Sequence, residues 1–198
     1  KEGEKIVAQI TPGCPIDQSK IAYVQGAGIR RQAFLDSDMK VLPAEWMTDT
    51  KSFHAIPPVD GATDCIACHV TAYDSTAKTW LEPGIGCQMC HGPGSEHMAS
   101  ADKKATIVKP QTLTPQLRAD ICGQCHSVGK DTSGKYAFPV GFRPGQALAT
   151  KFVDAKPTKH AFQQQYSELI QSPGHWKNGV VCDTCHDPHD TTGLPNQL

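Results

Sequence analysis

Four stretches of this chain each put two thiols and an imidazole within five residues. They are CIACH (Cys65, Cys68, His69), CQMCH (Cys87, Cys90, His91), CGQCH (Cys122, Cys125, His126) and CDTCH (Cys182, Cys185, His186). A Cys-x-x-Cys pair alone fits structural zinc, a redox dithiol or haem attachment. The histidine after every pair narrows the choice. Chance would place it there four times on the order of a few times in a million, given nine histidines in 198 residues. Zinc has no need of it, because four thiolates or a distant histidine pair complete its tetrahedron. Covalent haem does need it. Two thiols form thioethers with the porphyrin vinyls, and the adjacent imidazole then falls beneath the iron. The expectation is four haem c groups, held by those eight cysteines and by His69, His91, His126 and His186 as proximal ligands.

Each iron has a second axial position. Five histidines remain to fill four such positions: His54, His97, His160, His175 and His189. Methionine is the other common ligand and raises the potential. Met89 lies inside a Cys-x-x-Cys loop, however, and Met98 adjoins His97. Bis-histidine ligation at all four haems is therefore expected, with low-spin iron and low potentials. His189 follows His186 by three residues, which span at most about 10 Å. Two imidazoles on opposite faces of one haem hold their backbones roughly 12 Å apart or more. So His189 is expected to cap a neighbouring haem. His97, beyond the HGPG turn, and His175, before Cys182, are free to reach their own haem or another. His160 and His54 are the candidates for reaching an iron in another subunit, and one histidine is surplus.

Composition fits a core made partly of cofactor. Leu, Ile, Val and Phe total 37 of 198 residues, yet the net charge is only −1, so the signature of a disordered chain is incomplete. Apolar burial stabilises by roughly 25 cal/mol per Å², and four macrocycles would supply area the side chains lack. Trp80 and Trp176, near the motifs, read as packing residues against porphyrin faces. The chain has no 18-residue apolar run, hence no expected membrane span. It has no polybasic cluster, hence no expected nucleic-acid partner. KEGEKIVAQI is too polar for a signal peptide. Since haem c is attached outside the cytoplasm, Lys1 is expected to lie near a processed N-terminus. The ninth cysteine, Cys14, reads as a buried free thiol or as half of an intermolecular disulfide.

The elements that must position these groups look slight. Residues 1–53 carry no motif and form an N-terminal segment, with KIVAQI, IAYVQ and KVLPAEW as brief strands. Residues 54–198 form the haem domain. Thr114-Pro115 reads as an N-cap and first helical residue, opening a helix that delivers Cys122–His126. Thr158 caps a second helix, KHAFQQQYSELI, ending at residues 172–174. Its Phe162, Tyr166, Leu169 and Ile170 share one face, with His160, Gln164, Ser167 and Gln171 opposite. With 17 glycines and 15 prolines, the expected fold is mostly loops and short α-helices wrapped around four haems, with little β-structure.

CHV…W…GIGCQMCHGPGSEH (68–97) and SPGHWKNGVVCDTCHDPH (172–189) resemble multihaem c-type cytochromes. Four motifs in 198 residues are most similar to the tetrahaem cytochromes that polymerise into extracellular filaments, the outer-membrane cytochrome E type and its archaeal counterparts. The resemblance covers residues 54–189. It implies a continuous chain of closely stacked bis-histidine haems, in parallel and T-shaped pairs. It also implies a head-to-tail homopolymer in which one histidine ligates a haem of the adjacent subunit. The expected function is electron transfer to redox proteins or external acceptors from an extracellular or cell-surface location, with no enzymatic activity. The alternatives are a soluble periplasmic tetrahaem carrier and a reductase of a small oxyanion. A reductase needs an iron with an open position, which five spare histidines argue against. If haems supply the core, the haem-free chain gives no cooperative transition on thermal denaturation followed by circular dichroism, whereas the loaded chain does.

Overall fold

The structure, a computed structural model, describes residues 13–26, 30–155 and 163–190. It divides into two compact units, Lys1–Gly61 and Ala62–Leu198. In the first, β1 (Tyr23–Gln25), β2 (Arg31–Leu35), β3 (Val41–Met47) and β4 (Ser52–Ala55) form an antiparallel meander in chain order. IAYVQ and KVLPAEW contribute β1 and β3, while KIVAQI lies outside the described residues. Alternation along β3 turns Leu42 and Ala44 inward, where they pack with Ile16 and Phe34 as the core of this unit. Trp46 and Phe53 face each other across β3 and β4, their ring centroids 5.0 Å apart at 62°. Pro43, which has no N–H to give a ladder, sits where the β2–β3 register is interrupted. Cys14 is a free, half-buried thiol packed against this core.

The second unit is built of short pieces. Its α-helices are α1 (Gly61–Asp64, shared with the end of the first unit), α2 (Gln88–His91), α3 (Ser95–Ala99), α4 (Pro115–Gly123), α5 (Gln165–Ile170) and α6 (Pro173–Trp176). Two small antiparallel ribbons pair β5 (Val70–Thr71) with β6 (Glu82–Pro83), and β7 (Gly129–Asp131) with β8 (Phe152–Asp154). The expectation of little β-structure is therefore wrong. Among the described residues there are eight strands in three antiparallel sheets, against six α-helices of which only α4 exceeds six residues. The physical reason is length. A period of two cannot be read from strands of two or three residues, and RQAFL and SFHA do not alternate cleanly.

Helix α4 begins as its sequence requires. Thr114 Oγ1 accepts from Leu117 N at 3.4 Å, and Pro115 occupies the first turn. Ala119, Leu148, Phe152, Tyr166 and Val181 form the core beside it, with Phe142, Ile170 and Trp176 packed on its edge. Trp176 thus belongs in part to a protein core. Asp120 is 1% exposed and is satisfied from three directions. Its Oδ1 accepts from Tyr166 Oη at 2.6 Å and Gln116 Nε2 at 2.7 Å, and its Oδ2 from Leu148 N at 3.0 Å. These bonds tie α4 to α5 and to the turn at residues 148–150.

Helix α5 corrects a second expectation. Residues 156–162, with Thr158, His160 and Phe162, lie outside the described residues. Tyr166 is buried as expected, but Gln164 and Ser167, assigned to the outer face, are buried too. Ser167 donates to Asp154 Oδ2 and Gln164 Nε2 donates to Glu168 Oε1 at 2.8 Å. The helix packs against α4 on one side and α6 on another, and polar residues are covered because each finds a partner.

One glycine sets the α4–α5 distance. A Cβ on Gly123, inside the CGQC motif, would come within 2.7 Å of Tyr166 Cδ2 and 2.8 Å of Leu148 Cδ2. Gly123→Ala should therefore destabilise the loaded protein by about 1–3 kcal/mol, read as a lower midpoint in thermal denaturation. An unchanged midpoint would mean that α4 and α5 pack less closely.

Candidate functional site

All four Cys-x-x-Cys-His motifs fold into the same kind of turn. In each, the N–H of the second cysteine points to the carbonyl of the first, at 3.3 Å for Cys68, 3.2 Å for Cys90, 3.1 Å for Cys125 and 3.2 Å for Cys185. His91, His126 and His186 also donate their backbone N–H to that carbonyl, at 2.9, 3.0 and 3.0 Å. The first motif is tighter, with His69 N donating to Ile66 O at 2.9 Å. Helical spacing of three and four residues puts both sulfurs and the ring on one side of the turn. That is what thioether attachment plus one axial nitrogen asks of a peptide. None of the nine cysteines forms a disulfide.

The turns are tied to each other. After the first motif, Thr71 is fully buried and braces the approach to the second. Its Oγ1 donates to Gly84 O at 2.8 Å and accepts from Gly86 N at 2.7 Å, while Gly84 N donates to His69 O at 3.0 Å. Gln124, between the cysteines of the third motif, donates Nε2 to Met89 O of the second at 2.9 Å. Arg118 on α4 meets Asp183 of the fourth motif at 2.7 Å, with both side chains largely covered.

Sulfurs from different motifs meet as a result. Cys68 Sγ lies 3.9 Å from Gln124 O and beside the Cys125 sulfur. That hydrogen-bonding contact with Cys68, followed by burial, pushes the Cys125 thiol well above its ordinary range. Cys122 is pushed up in the same way by the sulfur of Cys182, again with burial second. Burial, then the neighbouring Cys87, raises Cys90, which also lies close enough to bear on Cys122 and Cys125. The third motif thus touches the other three. A cavity of about 490 Å³ opens beside Cys68 and Cys125, walled by Tyr73, Met89 and Phe138, and a second of about 570 Å³ opens beside His91, Val108 and Arg143.

The histidines are oriented by their Nδ1 atoms. His91 Nδ1 lies 2.9 Å from Val108 O, and His97 Nδ1, on α3, lies 2.7 Å from Lys103 O. A carbonyl can only accept, so each Nδ1 carries the hydrogen and Nε2 is left with its lone pair. His175, on α6, has Nδ1 2.9 Å from the N-cap hydroxyl of Ser172. His189 has Nδ1 3.5 Å from Asp187 Oδ1. This is how proteins fix an imidazole that ligates through Nε2. The rings of His91 and His189 stand 6.1 Å apart, centroid to centroid, with planes 17° from parallel. His54 is exposed on β4, opposite Glu45. His160 lies outside the described residues.

Gly92 ends α2 at φ 77°, ψ 179°, a conformation open to glycine, and so turns the chain from His91 toward α3 and His97. Sequence reasoning missed the groups that aim the rings. Ser172 three residues before His175, and Asp187 two before His189, were legible as local partners. The carbonyls of Lys103 and Val108 were not, since every residue has one. Among the described residues no three histidine, cysteine or acidic side chains gather as a bare metal site.

Residues 37–92 match a family model described as cytochrome c554 and c-prime. The chain is 29% identical over 119 residues to the dissimilatory sulfite reductase MccA of Wolinella succinogenes, covering 59% of this chain and 14% of that protein. It is 22% identical over 158 residues to the multihaem cytochrome MtrA of Shewanella baltica, covering 65% and 46%. The crystal structure of the outer cell wall cytochrome OcwA superposes with a TM-score of 0.65 at 23% identity, over 91% of this chain and 48% of that one. The fold is similar to that of this outer cell wall cytochrome. The chain spans less than half the length of each of these proteins. Among the described residues no helix is long and apolar enough to cross a membrane.

The Arg118–Asp183 pair is the direct ionic tie between the third and fourth motifs. Asp183→Ala should cost about 1–3 kcal/mol, seen as a lower thermal midpoint. A midpoint within experimental error of the parent would mean that the pair contributes nothing to docking the two turns.

Proposed function

We propose that this chain is an exported electron-transfer protein that carries four covalently attached haem c groups, each iron held between two histidines. The observation that carries the reading is the orientation of the spare rings. His97, His175 and His189 each have Nδ1 turned to a carbonyl, a hydroxyl or a carboxylate, leaving Nε2 as the coordinating nitrogen. Three of the four outer positions thereby have a candidate, and His54 or His160 completes the set. What each haem supplies is a one-electron couple, placed low by a second imidazole in place of methionine.

The sulfur contacts support transfer between haems. Groups attached through adjoining sulfurs, Cys68 with Cys125 and Cys122 with Cys182, stand at contact, and tunnelling falls off exponentially with distance. In this reading the haem of the third motif joins those of the first and fourth. The protein is not an enzyme, because a fully ligated iron offers no open position. The likeness to a sulfite reductase is to 14% of that protein.

The finer proposal is a head-to-tail polymer of this chain at the cell surface or outside it, passing electrons to external acceptors. His54, exposed in the unit that has no attachment motif, is the histidine offered to a neighbouring copy's iron, with His160 as its rival. The kinship with cytochromes of the outer cell wall supports an exported location. A soluble periplasmic carrier is the form the protein takes if it stays monomeric.

Mass spectrometry and spectroscopy of protein from its native source test the core of this reading. Four haems per chain, all low-spin and unreactive to carbon monoxide, are expected, and a high-spin iron in the native chain would favour a reductase. Electron microscopy of the same sample separates regular filaments from monomer-sized particles, and His54→Ala or His160→Ala should dissolve the filament.

A further inference from the structure

We infer that His91 and His189 are the two axial ligands of one iron, so that the fourth attachment loop supplies the outer ligand of the haem on Cys87 and Cys90. The inference rests on reading the Cys-x-x-Cys-His turns as haem attachment, and goes further by naming which two motifs share an iron.

Ring geometry carries it. A metal–imidazole bond is about 2 Å long, and the ring centre lies about 1 Å beyond the nitrogen, so two imidazoles on opposite sides of one metal ion stand roughly 6 Å apart, centre to centre. The His91 and His189 centroids are 6.1 Å apart, and the 17° between their planes lets both rings be edge-on to one metal. The polar contacts agree from both ends. His91 Nδ1 is hydrogen-bonded to Val108 O, and His189 Nδ1 faces the Asp187 carboxylate at 3.5 Å. Nε2 is the nitrogen that these contacts leave to each ring for a metal. The backbone N–H of His189 also donates to Asp187 Oδ1 at 2.9 Å, fixing the short CHDPH loop that carries the ring.

The neighbouring chain limits the alternatives. Three residues are too few for His189 to reach around the haem that His186 serves. The third motif, with Cys122 beside Cys182 and Cys90 close by, brings the second and fourth turns to the same place. The C-terminal loop then acts as a clamp on the second haem, and displacing it would open one iron while leaving the others closed.

The test uses the haem-loaded full chain. His189→Ala should convert one of the four irons to high spin and let it bind one equivalent of carbon monoxide, and added imidazole should restore the low-spin signal. His189→Met should keep that iron low-spin and raise its potential alone. To identify the iron, His189→Ala is repeated in a Cys87→Ala, Cys90→Ala chain that lacks the second haem. There it should add no carbon monoxide equivalents over its parent, and an added equivalent would assign His189 to another iron and overturn the inference. If His189→Ala leaves every iron low-spin, His189 is a surface residue stacked near His91 and the inference fails. If the peptide containing Cys87 and Cys90 carries no haem mass in the parent protein, it is the attachment reading that fails.

Discussion

A turn of helix can offer a planar macrocycle only one side. Because Cys-x-x-Cys-His places two sulfurs and one imidazole on a single face of a single turn, a motif that holds a haem can serve only one of its faces, and the other is open to a more distant part of the chain. Much of the second unit can be understood from that constraint. Its helices are one or two turns long, its strands two or three residues, and its loops are braced by buried groups such as Thr71 and Asp120. A conventional core of long elements would leave no room for ligands to arrive from several directions.

Aiming an imidazole is costly for a loop unless something fixes the ring, since a histidine side chain has two torsions to freeze. The chain solves this with Nδ1 anchors drawn from whatever is near: Val108 O for His91, Lys103 O for His97, Ser172 Oγ for His175, Asp187 for His189. The same kind of anchor is present at His91, beside an attachment pair, and at three of the spare histidines. The third motif has a different task. Gly123 lets α5 press against α4, Gln124 reaches the second motif, and Cys122 and Cys125 meet sulfurs of the fourth and first. Close packing of the helices and close approach of the attachment turns are here one requirement.

Legibility followed the range of the interaction. The cap at Thr114-Pro115 and the strand in KVLPAEW were plain because both are local. Strands β2 and β4 were missed because RQAFL and SFHA draw their pairing from β3, which no periodicity of their own reports. The face of α5 was misassigned at Gln164 and Ser167 because a polar residue with a partner is as easily buried as an apolar one. The likeness of the chain to larger cytochromes could likewise be anticipated from its motifs, whereas the β content of the fold could not.

By itself the sequence determined the covalent chemistry: eight thiols in four motifs, one imidazole beside each pair, and five histidines to spare. Those facts are complete within five residues and need no fold to be read. Tertiary structure alone decided which motifs adjoin, which rings face each other and which nitrogen each ring presents. Those depend on main-chain carbonyls at Lys103 and Val108 and on sulfur contacts between turns up to 60 residues apart, from Cys122 to Cys182. A carbonyl has no letter in the sequence, and a contact between distant turns has no spacing. Only the folded chain holds them in place.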